Sequence, residues 1–246
     1  MKTLRLLWRL LFFVSYTASI VAEIWLRKNL FRADMRAAMQ VRRRWARRLL
    51  RAVGVRLSIQ GNPPDFPCLL VANHRSYLDP ILMLCHVDGY PVAKAELADW
   101  PLIGKGARLA GILYLRRESG GSRANILKLM REKIAQGFPV IIFPEGTTSG
   151  LEGALPFKKG AFQMAVRDAV PVMPVAVLFE DERDFWVGKE SFLSHAQRRF
   201  REPEIRVEVH YGPVLSSGEA ENLLTEARQW IVDALTNVRE GDRTNA

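Results

Sequence analysis

The sequence is poor in residues that build several kinds of catalytic and metal site. It holds two cysteines and four histidines in 246 residues. Cys68 and Cys85 both fall inside apolar runs. They read as buried thiols of a reducing compartment, which excludes a disulfide framework. No metal-ligand spacing of Cys or His occurs, and no cofactor is implied. A Gly-x-Ser-x-Gly elbow is also absent, which argues against a serine nucleophile. There is no internal repeat and no low-complexity tract. What remains is a chain of ordinary hydrophobic content, 48%, long enough for one domain or one domain with an appendage.

Net charge is small over most of the chain and concentrated at one end. Residues 1–51 carry thirteen Lys and Arg against two acids, Glu23 and Asp34, a net of +11. The total is +10, so the rest of the chain is close to neutral at −1. A nucleic-acid-binding face would need the charge on the folded body with stacking aromatics interleaved, and neither is present. A segment lying on anionic lipid fits the distribution better.

The N-terminal segment, 1–55, supports this. Leu10 to Leu26 is apolar apart from Ser15, Tyr16, Thr17, Ser19 and Glu23, and is flanked by Lys2, Arg5, Arg9 and by Arg27, Lys28. Seventeen residues are at the short end for a spanning helix, which needs about 20. A cleaved signal peptide has a loose site at Ala18 to Ala22, but the residues that follow are basic and amphipathic, unlike a mature secreted start. Phe31, Met35, Ala38, Val41, Trp45 and Leu49 recur at spacings of three and four, with Arg32, Arg36, Arg43, Arg47 and Arg51 on other faces. That pattern is a basic amphipathic helix. Its apolar side is expected in the headgroup region, the competing possibility being the protein's own sheet. The pair reads as a two-helix anchor dipping into one leaflet, or as a span followed by a surface helix. The arginine excess places the body at the cell membrane on its cytoplasmic side.

From 56 to 240 strands and helices alternate. Strands are expected at 56–60, 67–72, 91–94, 112–115, 140–143, 172–178 and 205–210. Helices are expected at 80–87, 102–110, 122–136, 161–168, 192–200 and 219–238. This alternation predicts an α/β domain with a mostly parallel mixed sheet flanked by helices. The polar tail, 241–246, is expected to be disordered. Active sites of such sheets gather beyond strand ends. After the second strand comes Asn73-His74-Arg75-Ser76-Tyr77-Leu78-Asp79-Pro80. A histidine with a carboxylate five residues later is what hydroxyl activation requires. The same residues also suit a plain helix start, with Asp79 as N-cap and Pro80 at the first helical position. Arg116 and Arg117 follow the fourth strand, and Pro144-Glu145-Gly146-Thr147-Thr148 follows the fifth. Lys158 and Lys159 then open a helix. Together these offer one base, four cations and a glycine-containing loop suited to a phosphate. Taken singly, the arginines are also what solvated strand ends look like, and the glycine loop is also an ordinary turn.

These blocks resemble the 1-acylglycerol-3-phosphate acyltransferase family. Asn73 to Asp79 is similar to its NHxSxxD block, and Gly111 to Arg117 to its second block, whose arginine matches Arg117. Phe143-Pro144-Glu145-Gly146-Thr147 is similar to FPEGT, and Val170 to Val175 to the proline-rich fourth block. The resemblance covers about residues 70–180 and implies the glycerolipid acyltransferase fold. It also implies transfer of a fatty acyl group from acyl-CoA or acyl-ACP to the hydroxyl of a membrane lyso-lipid. In that reading His74 is the general base and Asp79 fixes its tautomer, without an acyl-enzyme. Arg117, Glu145, Gly146 and Thr147 hold the head group, assisted by Arg116, Lys158 and Lys159. Thr148 stands where the family usually has arginine, and Arg116 where an acid commonly precedes the second-block arginine. The expected acceptor is 1-acylglycerol-3-phosphate. Another lyso-lipid, such as lyso-ornithine lipid, is the alternative, and a membrane lipid hydrolase is the competing class.

Overall fold

A computed structural model describes residues 1–100, 103–116 and 120–244. Seven strands form one sheet: β1 (Val55–Gln60), β2 (Leu69–Ala72), β3 (Tyr90–Lys94), β4 (Leu113–Leu115), β5 (Val140–Ile142), β6 (Val172–Phe179) and β7 (Ile205–Tyr211). Their order is β1-β7-β6-β2-β5-β3-β4. All neighbours pair parallel except β6 with β7, so β1 and β7 run against the rest. The sheet is the expected mostly parallel mixed one.

Eight α-helices are described: α1 (Lys2–Leu30), α2 (Met35–Ala52), α3 (Asp79–Leu84), α4 (Ile103–Leu109), α5 (Gly120–Ala135), α6 (Gly160–Arg167), α7 (Phe192–Arg199) and α8 (Ala220–Thr244). α8 continues through residues 241–244, where polarity predicts a disordered tail. Polar residues without proline extend a helix that has already formed, because elongation adds one bond per residue.

β2 and β6 are buried along their whole length, as strands covered on both faces must be. Side chains alternate across the sheet. Leu70 and Ala72 point into a core shared with α2, α3 and α7. Leu69 and Val71 point into a second core shared with α5, α6 and α8.

The N-terminal helices are built into this body. Asp34 caps α2 by accepting from Ala37 N–H at 2.9 Å. The apolar side of α2 does not face outward as expected. Ala46, Leu49 and Leu50 enter the first core, Met39 the second, and Ala38 and Val41 pack with Ile20 and Ile24 of α1. One-sided hydrophobicity shows that a face is buried, not what buries it. α1 is long and apolar enough to cross a membrane by length and composition. In the fold it lies along the body, pinned near both ends. The Arg9 guanidinium donates to the carbonyls of Ala52, Phe200, Glu202 and Pro203, and Lys28 donates to the Leu109 carbonyl at 2.9 Å. Gly54, at φ +88°, makes room for this arginine, since a Cβ there would lie 2.2 Å from Arg9 Nη2. The other side of α1 exposes Leu4, Leu7, Trp8, Leu11 and Val14, then Trp25, Leu26 and Leu30.

Candidate active site

The site begins where β2 ends. Asn73 is fully buried, and its amide pairs with the Val177 backbone in both directions, at 2.9 and 2.7 Å. A side chain thus completes the ladder to β6 and stops the strand in a defined direction. His74 N–H donates to Glu145 Oε1 at 2.8 Å, and the His74 carbonyl accepts from Ser149 N–H at 2.9 Å. The backbone of the histidine is therefore fixed from the FPEGT loop.

Its ring is fixed as well. Asp79 Oδ2 accepts from His74 Nδ1–H at 2.7 Å. The same oxygen accepts from Arg75 N–H at 2.6 Å and Ser76 N–H at 2.8 Å. Asp79 is 0% exposed, and its Oδ1 has no hydrogen-bond partner among the described residues. The helix-start reading of Asp79 is corrected here. The aspartate is the first residue of α3 with Pro80 second, and its carboxylate turns back onto the preceding loop. The other face of the imidazole stacks on Phe143, with centroids 4.3 Å apart. With Nδ1–H committed to Asp79, Nε2 carries the lone pair.

His74 borders a cavity of about 1560 Å³ that reaches from the loops beyond β2 and β5 to α1 and α2. Thr147, Thr148, Lys158 and Lys159 are among its polar lining, and Ile81, Leu84, Val92, Ile112, Ile20 and Trp45 among its apolar lining. A base, polar groups and apolar walls in one cavity suit an amphiphile.

The expected head-group residues divide. Gly146, Thr147 and Lys158 are at the cavity. Gly146, at φ +76°, lets the Lys158 ammonium lie against it, 2.6 Å from where a Cβ would stand. Glu145 is 6% exposed, and its second oxygen accepts from Leu155 N–H at 2.9 Å. Both carboxylate oxygens thus serve backbone groups, and the residue holds His74 instead of presenting itself to a head group. Burial raises its carboxyl pKa, while the two N–H donors pull it down. Arg116 is exposed, its backbone N–H bonded to Ser122 Oγ at 3.1 Å, and it does not line the cavity. Arg117 lies outside the described residues.

Arg75 is a part of the site that sequence reasoning missed. It is 2% exposed and donates to the carbonyls of Ser149 at 2.7 Å and Gly153 at 2.6 Å, with its guanidinium 5.3 Å over the Phe185 ring. It ties the His74 loop to two others. Nothing in its local sequence separates it from a solvated arginine. Arg75→Ala strands two buried carbonyls and opens a void, so unfolding in urea should show a loss of about 3–5 kcal/mol. Arg75→Lys should restore little of it, since an ammonium lacks the fork.

A family model described as Acyltransferase matches residues 54–178. Over 96% of the chain the sequence is 34% identical to a lyso-ornithine lipid O-acyltransferase of Pseudomonas aeruginosa, 95% of which is covered. It is 32% identical to the human 1-acyl-sn-glycerol-3-phosphate acyltransferase alpha over 60% of the chain, spanning 54% of that relative. The crystal structure of the 1-acyl-sn-glycerophosphate acyltransferase from Thermotoga maritima superposes with a TM-score of 0.77 at 22% identity, covering 97% of this chain and 98% of that one. The fold is therefore the same. The chain belongs to the acyltransferase family that includes the 1-acyl-sn-glycerol-3-phosphate and lyso-ornithine lipid acyltransferases.

Proposed function

We propose that the protein transfers a fatty acyl group from an acyl thioester, acyl-CoA or acyl-ACP, to the free hydroxyl of a lyso-lipid. The contact between His74 Nδ1–H and Asp79 Oδ2 at 2.7 Å, beside an amphiphile-sized cavity, carries this reading. The acceptor hydroxyl oxygen attacks the thioester carbonyl while His74 Nε2 takes its proton. Asp79 stabilises the imidazolium so formed. The tetrahedral intermediate collapses, the C–S bond breaks, and the imidazolium returns the proton to the departing thiolate. The products are the ester and the free thiol, and no acyl-enzyme forms.

For the acceptor we favour a lyso-ornithine lipid over the expected lysophosphatidate. The support is the end-to-end relation to the Pseudomonas protein, whereas the human phosphatidate-forming relative aligns over little more than half its length. Arg116 points the same way, standing away from the cavity. Lysophosphatidate is retained as a second reading because Lys158, Lys159 and Arg123 line the cavity and suit a phosphate. Detergent-purified full-length protein with radiolabelled acyl donor should acylate lyso-ornithine lipid with a kcat/KM at least about tenfold above lysophosphatidate, a difference of 1.4 kcal/mol. The reverse order overturns the assignment. Release of free fatty acid without acceptor supports the hydrolase instead.

We propose that the reaction takes place at the cell membrane, with the body on its cytoplasmic side. The exposed apolar side of α1 supports the membrane, and the arginine excess of residues 1–51 supports the side. Leu7→Glu with Leu11→Glu should abolish cosedimentation with anionic vesicles, while Arg48→Gln should weaken it only modestly, by about 1 kcal/mol. Unchanged binding by the double variant removes α1 as the anchor.

A further inference from the structure

The mechanism above does not use the most buried histidine of the body. His195, on α7, is 1% exposed. Its Nε2–H donates to the Phe185 carbonyl at 3.0 Å, and its Nδ1 accepts from the Tyr77 hydroxyl at 3.2 Å. Burial lowers its pKa and keeps the ring neutral, which this donor-acceptor pair requires. Tyr77 lies between His74 and Asp79 in the catalytic loop. Its ring borders the cavity and meets Phe192 and Trp186 edge to face, at 4.7 and 5.7 Å.

A second bond joins the same two segments, since Trp186 N–H donates to the Arg75 carbonyl at 2.8 Å. The segment between β6 and α7 is itself anchored to α7 through the buried Asp184–Arg199 ion pair. The His74 loop is thus gripped from inside by Asp79 and from outside by α7. Inner contacts alone fix His74 to Asp79. Glu145 and Ser149 tie the pair to the FPEGT side of the cavity, and the α7 contacts tie it to the side lined by Trp186 and Phe192.

We propose that His195 is a positioning residue for acyl transfer, holding the catalytic loop against the cavity through the Tyr77 hydroxyl. This rests on the reading of His74 as general base. A displacement of about 1 Å between a base and its substrate costs on the order of 10²-fold. The phenol and imidazole touch neither the hydroxyl nor the thioester, so their loss should appear in turnover and not in binding.

The test compares Tyr77→Phe, His195→Leu, His195→Asn and the Tyr77→Phe/His195→Leu pair in the full-length, detergent-purified protein. Each receives kcat, KM for both substrates and a thermal midpoint. His74→Ala is run beside them. We expect Tyr77→Phe and His195→Leu each to lower kcat roughly tenfold or more, with KM changed less than about twofold and the midpoint shifted by only a few degrees. The double variant should be no slower than the worse single one, because both remove the same bond. His195→Asn, which keeps an acceptor near the Nδ1 position, should recover most of the turnover. The proposal is overturned if Tyr77→Phe stays within about twofold of wild type, if the two losses multiply, or if only KM moves. Should His195→Leu fail to fold, Tyr77→Phe decides alone, since it keeps the ring packing. If His74→Ala is itself active, the underlying mechanism fails; if it is inactive and Tyr77→Phe is normal, only the positioning role does.

Discussion

His74→Ala should lower turnover by about 10²–10⁴-fold or more while the protein stays folded and binds both substrates. The imidazole is 21% exposed and stands at the cavity, so its removal opens space without stranding a buried group. Besides the stacking on Phe143, the contact that loses its partner is Asp79 Oδ2, which keeps the N–H groups of Arg75 and Ser76. Stability therefore changes little, and the loss falls on the chemical step. Single-turnover acyl transfer with saturating donor and acceptor measures it directly. Near-wild-type turnover would refute His74 as the base.

Asp79→Asn should cost a comparable or larger factor, on the order of 10⁴ if it behaves as the same exchange does in a Ser-His-Asp triad. The amide matches the carboxylate in shape, and its oxygen can still take the two loop N–H groups. It lacks the charge that stabilises the imidazolium as the proton arrives. The amide nitrogen would also occupy the position of Asp79 Oδ1, which has no partner among the described residues, leaving two buried N–H donors unmet. A drop in urea midpoint should therefore accompany the loss of turnover, unlike with His74→Ala. If both variants lose activity and only Asp79→Asn loses stability, the division of labour between the two residues is as drawn. Full activity of Asp79→Asn would remove the carboxylate from the mechanism.

Much of this was legible in the sequence because it is local. The seven expected strands became seven strands, and His74 and Asp79 meet because Asp79 follows five positions later, at the start of α3. Glu145 was legible as a site residue but not in its role. Nothing in FPEGT says that the carboxylate reaches back to the His74 backbone, 71 residues away. α2 misled because amphipathicity is the same whether the partner is lipid or protein. The Tyr77–His195 bond spans 118 residues and leaves no periodic trace in either segment. Arg116 looked useful from its place at a strand end, but it is exposed and does not line the cavity. Position along a strand fixes which edge of the sheet a residue reaches and not which way its side chain leaves.

The grip of Arg9 on residues 200–203, with β1 paired to β7, also governs the order in which the chain can be finished during synthesis. A nascent chain that ends after β5 has already made α1, its neighbours α2 and α4, and β1, but not residues 200–203 or β7. Until residues 200–203 and β7 leave the ribosome, the start of α1 around Arg9 lacks these carbonyl partners, while Ile20 and Ile24 can already pack on Ala38 and Val41 of α2. Such contacts between the two ends of a chain are slow to close. For that interval the first turns of α1, with Leu4, Leu7, Trp8 and Leu11 exposed, are without their hold on residues 200–203. The last third of the chain therefore completes the seat of the first helix on the body.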